Sequence, residues 1–281
     1  MNAARDGRLS RRAALLGGIG LGAAAVAGCQ REPGAGSAAQ QLLASQAAAP
    51  TSVQPVITER KLSTARYREV DCVIIRPANV PAAPMPVCFA LHDRLRGAKS
   101  FLSLGLPQML TDLIDAGHTP FAVAAVDGGN WVGYKDDDPQ RMLSEDLPDW
   151  LDRQDLAATP FAAIGLGEGG AGALNLVRGL SFSAVAAISP TLFDTWPDAK
   201  RSEIYGTREQ WEAIEPLRHP AEYSGMPVGL WCGSGDRDYL GTTKKFAQAT
   251  GAKAVHGPGG HTEEYQRQAL PDALRFVAEY L

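Results

Sequence analysis

The chain has 281 residues, of which 45% are hydrophobic and 21% charged, and 27 basic against 31 acidic residues give a net charge of −4. This composition is that of a globular protein. The near-neutral balance and the lack of a basic stripe argue against nucleic-acid binding. Four cysteines are too few for a disulfide-stabilised scaffold. No uninterrupted apolar run reaches the roughly 18 residues of a membrane-spanning helix.

Residues 1–28 have the features of a bacterial signal peptide: arginines, then a moderately hydrophobic run, then small residues. Arg11 and Arg12 resemble a twin-arginine (Tat) export signal, and residues 26–29, Val-Ala-Gly-Cys, resemble a lipobox. We therefore expect cleavage before Cys29 and acylation of its thiol. The acyl chains would anchor the protein to the outer face of the cytoplasmic membrane. The alternative is an ordinary signal peptide followed by a chance cysteine.

Residues 29–55 are predicted to form a flexible tether. They are rich in Ala, Gly, Ser, Gln and Pro and show no sustained periodicity. Removal of residues 1–28 takes away four basic residues and one acidic residue, which moves the net charge from −4 to −7. The mature protein is then acidic, so its membrane attachment depends on lipid rather than on attraction to anionic headgroups.

Residues 56–281 predict one α/β domain. Short apolar runs rich in β-branched residues alternate with longer amphipathic runs, which is typical of a mainly parallel eight-stranded sheet with helices on both faces. The predicted strands lie at about 56–62, 68–76, 86–91, 120–126, 161–165, 184–189, 227–232 and 253–256. The predicted helices lie at about 100–117, 139–154, 169–179, 207–214, 240–250 and 263–280. Such sheets bind ligands at the carboxyl ends of their strands.

The strongest chemical signal follows the fifth predicted strand, where a Gly-rich turn leads into a helix. A phosphate-binding interpretation is weak, because the turn lies far along the sheet and no Gly-Lys-Ser/Thr follows. The pattern fits a nucleophile elbow, Gly-x-Ser-x-Gly, in which Gly165 and Gly169 are the small residues and Gly167 stands in place of serine. Glycine cannot form an acyl-enzyme. The other frame, with Glu168 as nucleophile, puts Leu166 where a small residue is needed.

Together with four further motifs, this turn resembles the esterase branch of the α/β-hydrolases that includes esterase D and the mycolyltransferases. Those motifs are Leu91-His92, residues 120–129, Cys232–Asp236 and Pro258–His261. The resemblance implies an α/β-hydrolase fold and carboxylic-ester hydrolase or acyltransferase chemistry without a cofactor. It also implies that His261 is the general base and that Asp236 orients it, with Asp238 as the reserve acid.

The resemblance places the oxyanion hole at the N–H of Glu168 and at an N–H of the loop after His92. In that loop Asp93 replaces the family's glycine. If both carboxylates point inward, they oppose a developing oxyanion; if they point outward, they are solvated surface groups. An elbow residue other than glycine is strained by about 1–3 kcal/mol, so Gly167 relieves strain where catalysis is not required.

His92, Asp127 and Trp131 are further candidates for the pocket, because they follow strands at the expected edge of the sheet. The alternative for Asp127 and Trp131 is a turn that packs on the domain. Residues 136–138, three aspartates, lack the pattern of a calcium loop, and the histidines lack metal-ligand spacing, so no metal is predicted. Three cysteines are expected to be small buried residues: Cys72, Cys88 and Cys232.

Three functions are consistent with these features. The first is an exported lipoprotein of an esterase family that is inactive or strongly weakened and keeps a pocket for a lipid, ester, glycan or protein partner. The second is a slow ester hydrolase or acyltransferase that uses His261 and Asp236 with water or a non-serine nucleophile. The third is an envelope glycan-binding module, motivated by Trp131 and the acidic surface.

Overall fold

A computed structural model describes residues 55–81 and 83–281, so the predicted signal peptide, Cys29 and the tether up to residue 54 lie outside the described residues. An eight-stranded sheet forms the centre of the domain. Its strands are β1 (Val56–Ser63), β2 (Arg68–Ile75), β3 (Val87–Leu91), β4 (Ala122–Val126), β5 (Ala162–Leu166), β6 (Ala184–Ile188), β7 (Val228–Trp231) and β8 (Lys253–Val255).

The strand order is β1-β2-β4-β3-β5-β6-β7-β8. Strand β2 is antiparallel to both β1 and β4, and β3 to β8 run parallel. This confirms the predicted mainly parallel sheet. Because parallel strands end at the same edge, the loops after β3, β4, β5, β7 and β8 meet there.

Helices cover both faces of the sheet. Alternate residues of a strand therefore pack into two different cores, one on each face. Phe89 and Leu91 pack in one core, and Cys88 and Ala90 pack in the other. The helices are α1 (Ser100–Ser103), α2 (Leu106–Asp115), α3 (Pro139–Arg141), α4 (Leu147–Asp152), α5 (Glu168–Leu176), α6 (Trp196–Ser202), α7 (Arg208–Ile214), α8 (Leu240–Thr250) and α9 (Glu263–Ala278).

The predicted helices are present, with three local differences. The helix predicted at 100–117 is divided into α1 and α2, because Gly105 adopts a φ of 88° between them. The helix predicted at 139–154 includes a wider π-helical turn over Met142–Asp146. Helix α6 was not predicted; Thr195 caps it by accepting from Asp198 N.

Within the described residues no helix is both long and apolar enough to cross a membrane.

The three cysteines among the described residues are buried thiols, as expected from the sequence. Cys72, Cys88 and Cys232 are unpaired. Burial raises the pKa of Cys72 and of Cys232 to about 12, and it also raises the pKa of Cys88. These thiols therefore stay protonated and unreactive at neutral pH.

The β1–β2 hairpin is fastened to the helical layer by one buried carboxylate. Asp146 accepts hydrogen bonds from Ser63 Oγ at 2.6 Å, Thr64 Oγ1 at 2.5 Å and Ala65 N at 3.1 Å. Burial alone would raise the pKa of Asp146, but these hydrogen bonds lower it below its usual value. The charged form therefore holds the antiparallel edge of the sheet in place.

We expect Asp146→Ala to lower the free energy of unfolding by about 1–3 kcal/mol per hydrogen-bonding group left unsatisfied. The contribution is present above the unfolded pKa of about 3.9 and is lost as pH falls through the lower folded pKa. Urea unfolding at pH 7 and pH 3 measures both effects. The exposed Asp149→Ala is the control, expected within about 0.5 kcal/mol of the parent. Equal effects of the two substitutions would contradict this role of Asp146.

Candidate active site

The turn between β5 and α5 keeps the backbone shape of a nucleophile elbow. Gly167 has φ 54° and ψ −118°, a region that side chains rarely adopt. Its N–H donates to Ile188 O on β6 at 2.9 Å. The small residues on either side are required: a β-carbon at Gly165 would lie 2.6 Å from Gly170 Cα, and one at Gly169 would lie 2.5 Å from His92 O. The elbow is therefore intact although it carries no nucleophile.

The side chain of Asp93 fills the space that a nucleophile at position 167 would occupy. A β-carbon placed on Gly167 would lie 2.5 Å from Asp93 Oδ2 and still closer to Cγ and Oδ1. Of the two orientations left open by the sequence, Asp93 takes the inward one. A serine at 167 and the present position of Asp93 exclude each other.

Two backbone N–H groups hold one oxygen of this carboxylate. Asp93 Oδ1 accepts from Arg94 N at 2.8 Å and from Glu168 N at 3.2 Å. One donor belongs to the residue after the elbow position and the other to the loop after β3, the two sources of an oxyanion hole in this kind of turn. Asp93 Oδ2 accepts from Gln266 Nε2 on α9 at 2.7 Å. Both N–H groups are thus occupied from within the chain.

The loops after β7 and β8 bring the expected acid and base together. His261 Nδ1 lies 3.0 Å from Asp236 Oδ2. Asp236 is 2% exposed, and its Oδ1 accepts from Tyr239 N at 3.0 Å. The other ring nitrogen, His261 Nε2, lies 3.7 Å from Asp93 Oδ2. The imidazole therefore stands between two carboxylates.

No protein-family model and no curated protein matches this sequence, but solved structures match its fold. A ferulic acid esterase is 22% identical with a TM-score of 0.69 over 80% of this chain and 98% of its own. The chain has the α/β-hydrolase fold. An S-formylglutathione hydrolase from Agrobacterium tumefaciens is 14% identical (TM-score 0.66, 80% and 95% covered). Mycobacterium tuberculosis MPT51 is 16% identical (TM-score 0.64, 81% and 99% covered).

The α/β-hydrolase scaffold gives its histidine an unusual charge environment. Burial alone would lower the pKa of His261, but the hydrogen bond that His261 donates to Asp236 and the charge of Asp93 together raise it. Burial alone would raise the pKa of Asp236, and its hydrogen bond with His261 contributes most to lowering it. The geometry thus favours an imidazolium held between two carboxylates.

Glu168, at the first position of α5, also turns inward. It is 5% exposed, and burial raises its pKa to about 7, although Arg94 Nη1 at 3.4 Å opposes the shift. Its Oε2 is buried and has no hydrogen-bond partner. Glu168 faces a narrow cavity that Trp131, Asn175 and Tyr205 also line. The site therefore reduces its negative charge by partly protonating this carboxyl group.

Two of the expected pocket residues are engaged in holding loops. His92 Nε2 accepts from Gly128 N at 2.9 Å, and His92 Nδ1 lies 2.8 Å from Asp93 O. Burial lowers the pKa of His92, so the ring stays neutral. Trp131 is 1% exposed, and its indole N–H donates to His92 O at 2.8 Å. Both side chains fix the path of the loop that carries Asp93.

Asp127, the third expected pocket residue, also holds neighbouring segments in place. Its Oδ1 accepts from Ala98 N at 2.7 Å and its Oδ2 accepts from Asp71 N at 3.2 Å. It borders an open groove that Arg94 and Tyr134 also line.

Among residues 55–81 and 83–281, no three His, Cys, Asp or Glu side chains are grouped as a metal site requires.

Sequence reasoning missed Gln266, Arg94 and Tyr239. Gln266 lies on the buried face of α9, in register with Leu270 and Ala273. A polar residue on the apolar stripe of a helix was the one available signal, because it must find a partner when buried. Tyr239 and, in its contact with Asp93, Arg94 act through backbone N–H groups, which no residue type encodes.

We expect Asp93→Asn to lower the pKa of His261, because it removes a negative charge that stabilises the imidazolium. NMR titration of the imidazole nitrogens measures this pKa. Asp238→Asn is the control; Asp238 is exposed and contributes least to the shift, so the decrease should be smaller. An unchanged pKa in Asp93→Asn would contradict the inward orientation of Asp93.

The same shift predicts a pH-dependent stability. The folded pKa of His261 lies above its ordinary value. Its charged interactions therefore stabilise the fold fully below the unfolded pKa of about 6.5, and the contribution is lost as pH rises through the folded pKa. Thermal unfolding between pH 5 and 9 should lose this pH dependence in His261→Gln.

Proposed function

We propose that this chain is an exported, lipid-anchored protein of the esterase branch of the α/β-hydrolases. In this proposal it has lost most or all serine-type acyl transfer and keeps its pocket for a ligand or partner in the cell envelope. The position of the Asp93 carboxylate carries the proposal. It fills the nucleophile's place beside Gly167 and takes the N–H groups of Arg94 and Glu168.

Each part of acyl transfer is affected by this arrangement. An acyl-enzyme needs a side-chain nucleophile, which Gly167 lacks. A tetrahedral intermediate needs free donors aimed at its oxyanion, and these donors already bind Asp93 Oδ1. The negative charge of Asp93 opposes any oxyanion that approaches the same position. Acyl transfer is therefore weakened twice: Gly167 supplies no nucleophile, and Asp93 occupies the oxyanion donors.

A slow ester hydrolase or acyltransferase is the second candidate. The 3.0 Å contact between His261 and Asp236 favours it, because the base is still oriented toward the site. Water activated by His261 would attack the ester directly, without the oxyanion donors. Glycan binding through Trp131 has less support, since this ring is 1% exposed and offers a sugar no stacking face.

The test is a set of variants that restores the serine and frees the donors. Gly167→Ser alone should stay inactive toward p-nitrophenyl butyrate, because its β-carbon overlaps Asp93. Asp93→Gly alone should stay inactive because it has no nucleophile. The double variant should hydrolyse the ester and react with a fluorophosphonate. Adding His261→Gln should remove about 10²–10⁴-fold of that rate.

The matched control pairs Asp93→Gly with Gly179→Ser, which adds a serine at an exposed glycine with open space around it. It should show no gain. Ester turnover by the unmodified chain that disappears in His261→Gln would overturn the proposed inactivity and support the second candidate. Fluorophosphonate labelling of the unmodified chain would also contradict the proposal.

The proposed anchor has its own test. Cys29→Ser should move the protein from the membrane to the soluble fraction, because acyl chains supply the attachment. Replacing Arg11 and Arg12 by lysine should leave uncleaved precursor inside the cell. Fractionation and radiolabelled palmitate incorporation measure these outcomes, with Ser37→Ala as the control. Membrane retention of Cys29→Ser would contradict the lipid anchor.

A further inference from the structure

The loop after β3 presents an apolar side chain to solvent between two arginines. Leu95 is 94% exposed, and its neighbours Arg94 and Arg96 are also exposed. The φ of Leu95 is 61°, in the left-handed region that leucine rarely adopts. Both the backbone conformation and the exposure are unfavourable for a leucine in water, so this position indicates a contact outside the chain.

Leu95 belongs to a larger group of exposed apolar side chains. The most exposed large apolar side chains of the described residues are Leu62, Tyr67, Leu95 and Tyr134. Leu95 and Tyr134 line one open groove of about 650 Å³. Tyr67 lies in the turn between β1 and β2, next to two further lining residues, Arg66 and Arg68. Single exposed apolar residues need no explanation, but a group around one opening indicates a contact surface.

The same groove is lined by four exposed cations, which are Arg68, Arg94, Arg96 and Lys99. Their carboxylate partners are Asp137 at 2.9 Å, Glu168 at 3.4 Å, Glu263 at 2.6 Å and Asp71 at 2.6 Å, in that order. In every pair the cation is the more exposed partner, and such pairs are weak. The exposed carboxylate of the lining is Glu69, and beside the groove Lys135 and Asp136 offset each other. An approaching molecule therefore meets a mainly cationic surface.

We propose that this surface, which we call the Leu95 face, rests on a bilayer of anionic phospholipids. The Leu95 face consists of Tyr67, Leu95, Tyr134 and the four cations. Leu95 enters the boundary between headgroups and acyl chains, and the tyrosines lie at the level of the headgroups, where their hydroxyls stay hydrated. Each guanidinium has five N–H donors, so its ion pair leaves donors for a lipid phosphate.

A bilayer accounts for both the apolar and the cationic part of the Leu95 face. A soluble anion would contact the cations but would leave Leu95 in water. In a bilayer, Leu95 lies deeper while the long side chains of Arg94 and Arg96 reach back to the headgroups. The predicted mature chain is acidic overall, so repulsion from an anionic surface disfavours the other orientations of the domain.

The proposal adds an orientation to the proposed acyl anchor and does not depend on that anchor. Leu95 and Asp93 belong to one loop, so this docking turns the carboxyl edge of the parallel strands toward the lipid. The proposal is also separate from the proposed loss of acyl transfer, because none of its steps involves an ester.

The first test measures whether position 95 enters lipid. The full chain with Leu95→Trp is mixed with vesicles of equal parts phosphatidylcholine and phosphatidylglycerol whose acyl chains carry bromine, which quenches nearby tryptophan. The fluorescence that this variant adds to that of the unmodified chain should be quenched. Leu281→Trp is the control, because this exposed leucine lies just beyond the end of α9, and it should show no added quenching. Equal quenching at both positions, or none at position 95, would overturn the proposal.

The second test measures affinity in the Cys29→Ser background, which lacks the predicted acylation site. Vesicle sedimentation should show stronger binding to the mixed vesicles than to phosphatidylcholine alone. Leu95→Ser should weaken binding to the mixed vesicles about tenfold, because it removes the inserted apolar side chain. Arg68→Gln combined with Arg96→Gln should weaken it about fivefold for each arginine, since each loses a contact with anionic headgroups.

Matched controls change the same residue types elsewhere. Leu281→Ser, and Arg208→Gln combined with Arg275→Gln, which also replace exposed ion-paired arginines, should leave binding unchanged. Equal binding by the test and control variants contradicts the Leu95 face. Displacement by excess inorganic phosphate without quenching at position 95 also overturns it and assigns the cations to a soluble phosphate. Binding to neither vesicle overturns it in favour of a protein partner. None of these results bears on acylation of Cys29 or on ester hydrolysis, so the proposals fail independently.

Discussion

The elbow at Gly167 is the constraint on which the site depends. The contacts that exclude side chains at Gly165 and Gly169 prevent the turn from relaxing, so glycine at 167 leaves a space beside the N–H of Glu168. A buried N–H without a partner is destabilising by about 1–3 kcal/mol. Asp93 fills the space and accepts that N–H. The inward position of Asp93 therefore requires a residue without a β-carbon at 167.

The charge balance of the site follows from that exchange. Placing Asp93 inward puts a third carboxylate near Asp236 and Glu168, around a single histidine. Two responses limit the repulsion: His261 gains affinity for its proton, and burial holds the pKa of Glu168 at about 7. A protonated Glu168 and a charged His261 leave less net negative charge than three free carboxylates would. The protonation states are thus a property of the group of residues rather than of any single one.

Sequence patterns predicted the mainly parallel sheet, and the resemblance to a known family predicted the α/β-hydrolase fold. Alternating apolar runs indicated the strands and the Gly-rich turn indicated the elbow, whereas Asp236 and His261 were implied by the resemblance to the esterase branch. The orientation of Asp93 stayed open, because it depends on a space that opens only when β3 and β5 are paired. Gln266 was not identifiable as its partner, because 173 positions separate it from Asp93. Helix α6 was not predictable from apolar periodicity, because it is short and its apolar residues pack in a small separate cluster.

The α/β-hydrolase fold fixes where chemistry occurs and leaves open which chemistry it is. The neighbouring structures share the sheet, and their low sequence identities carry no information about side chains at the site. In this chain the deciding feature is which oxygen receives the N–H groups of Arg94 and Glu168. If a substrate oxygen receives them, they stabilise acyl transfer; if Asp93 Oδ1 receives them, they stabilise charge on the protein itself. Only the second arrangement is compatible with an inward Asp93, so the hydrogen-bond acceptor, and not the scaffold, determines whether these donors are free for a substrate.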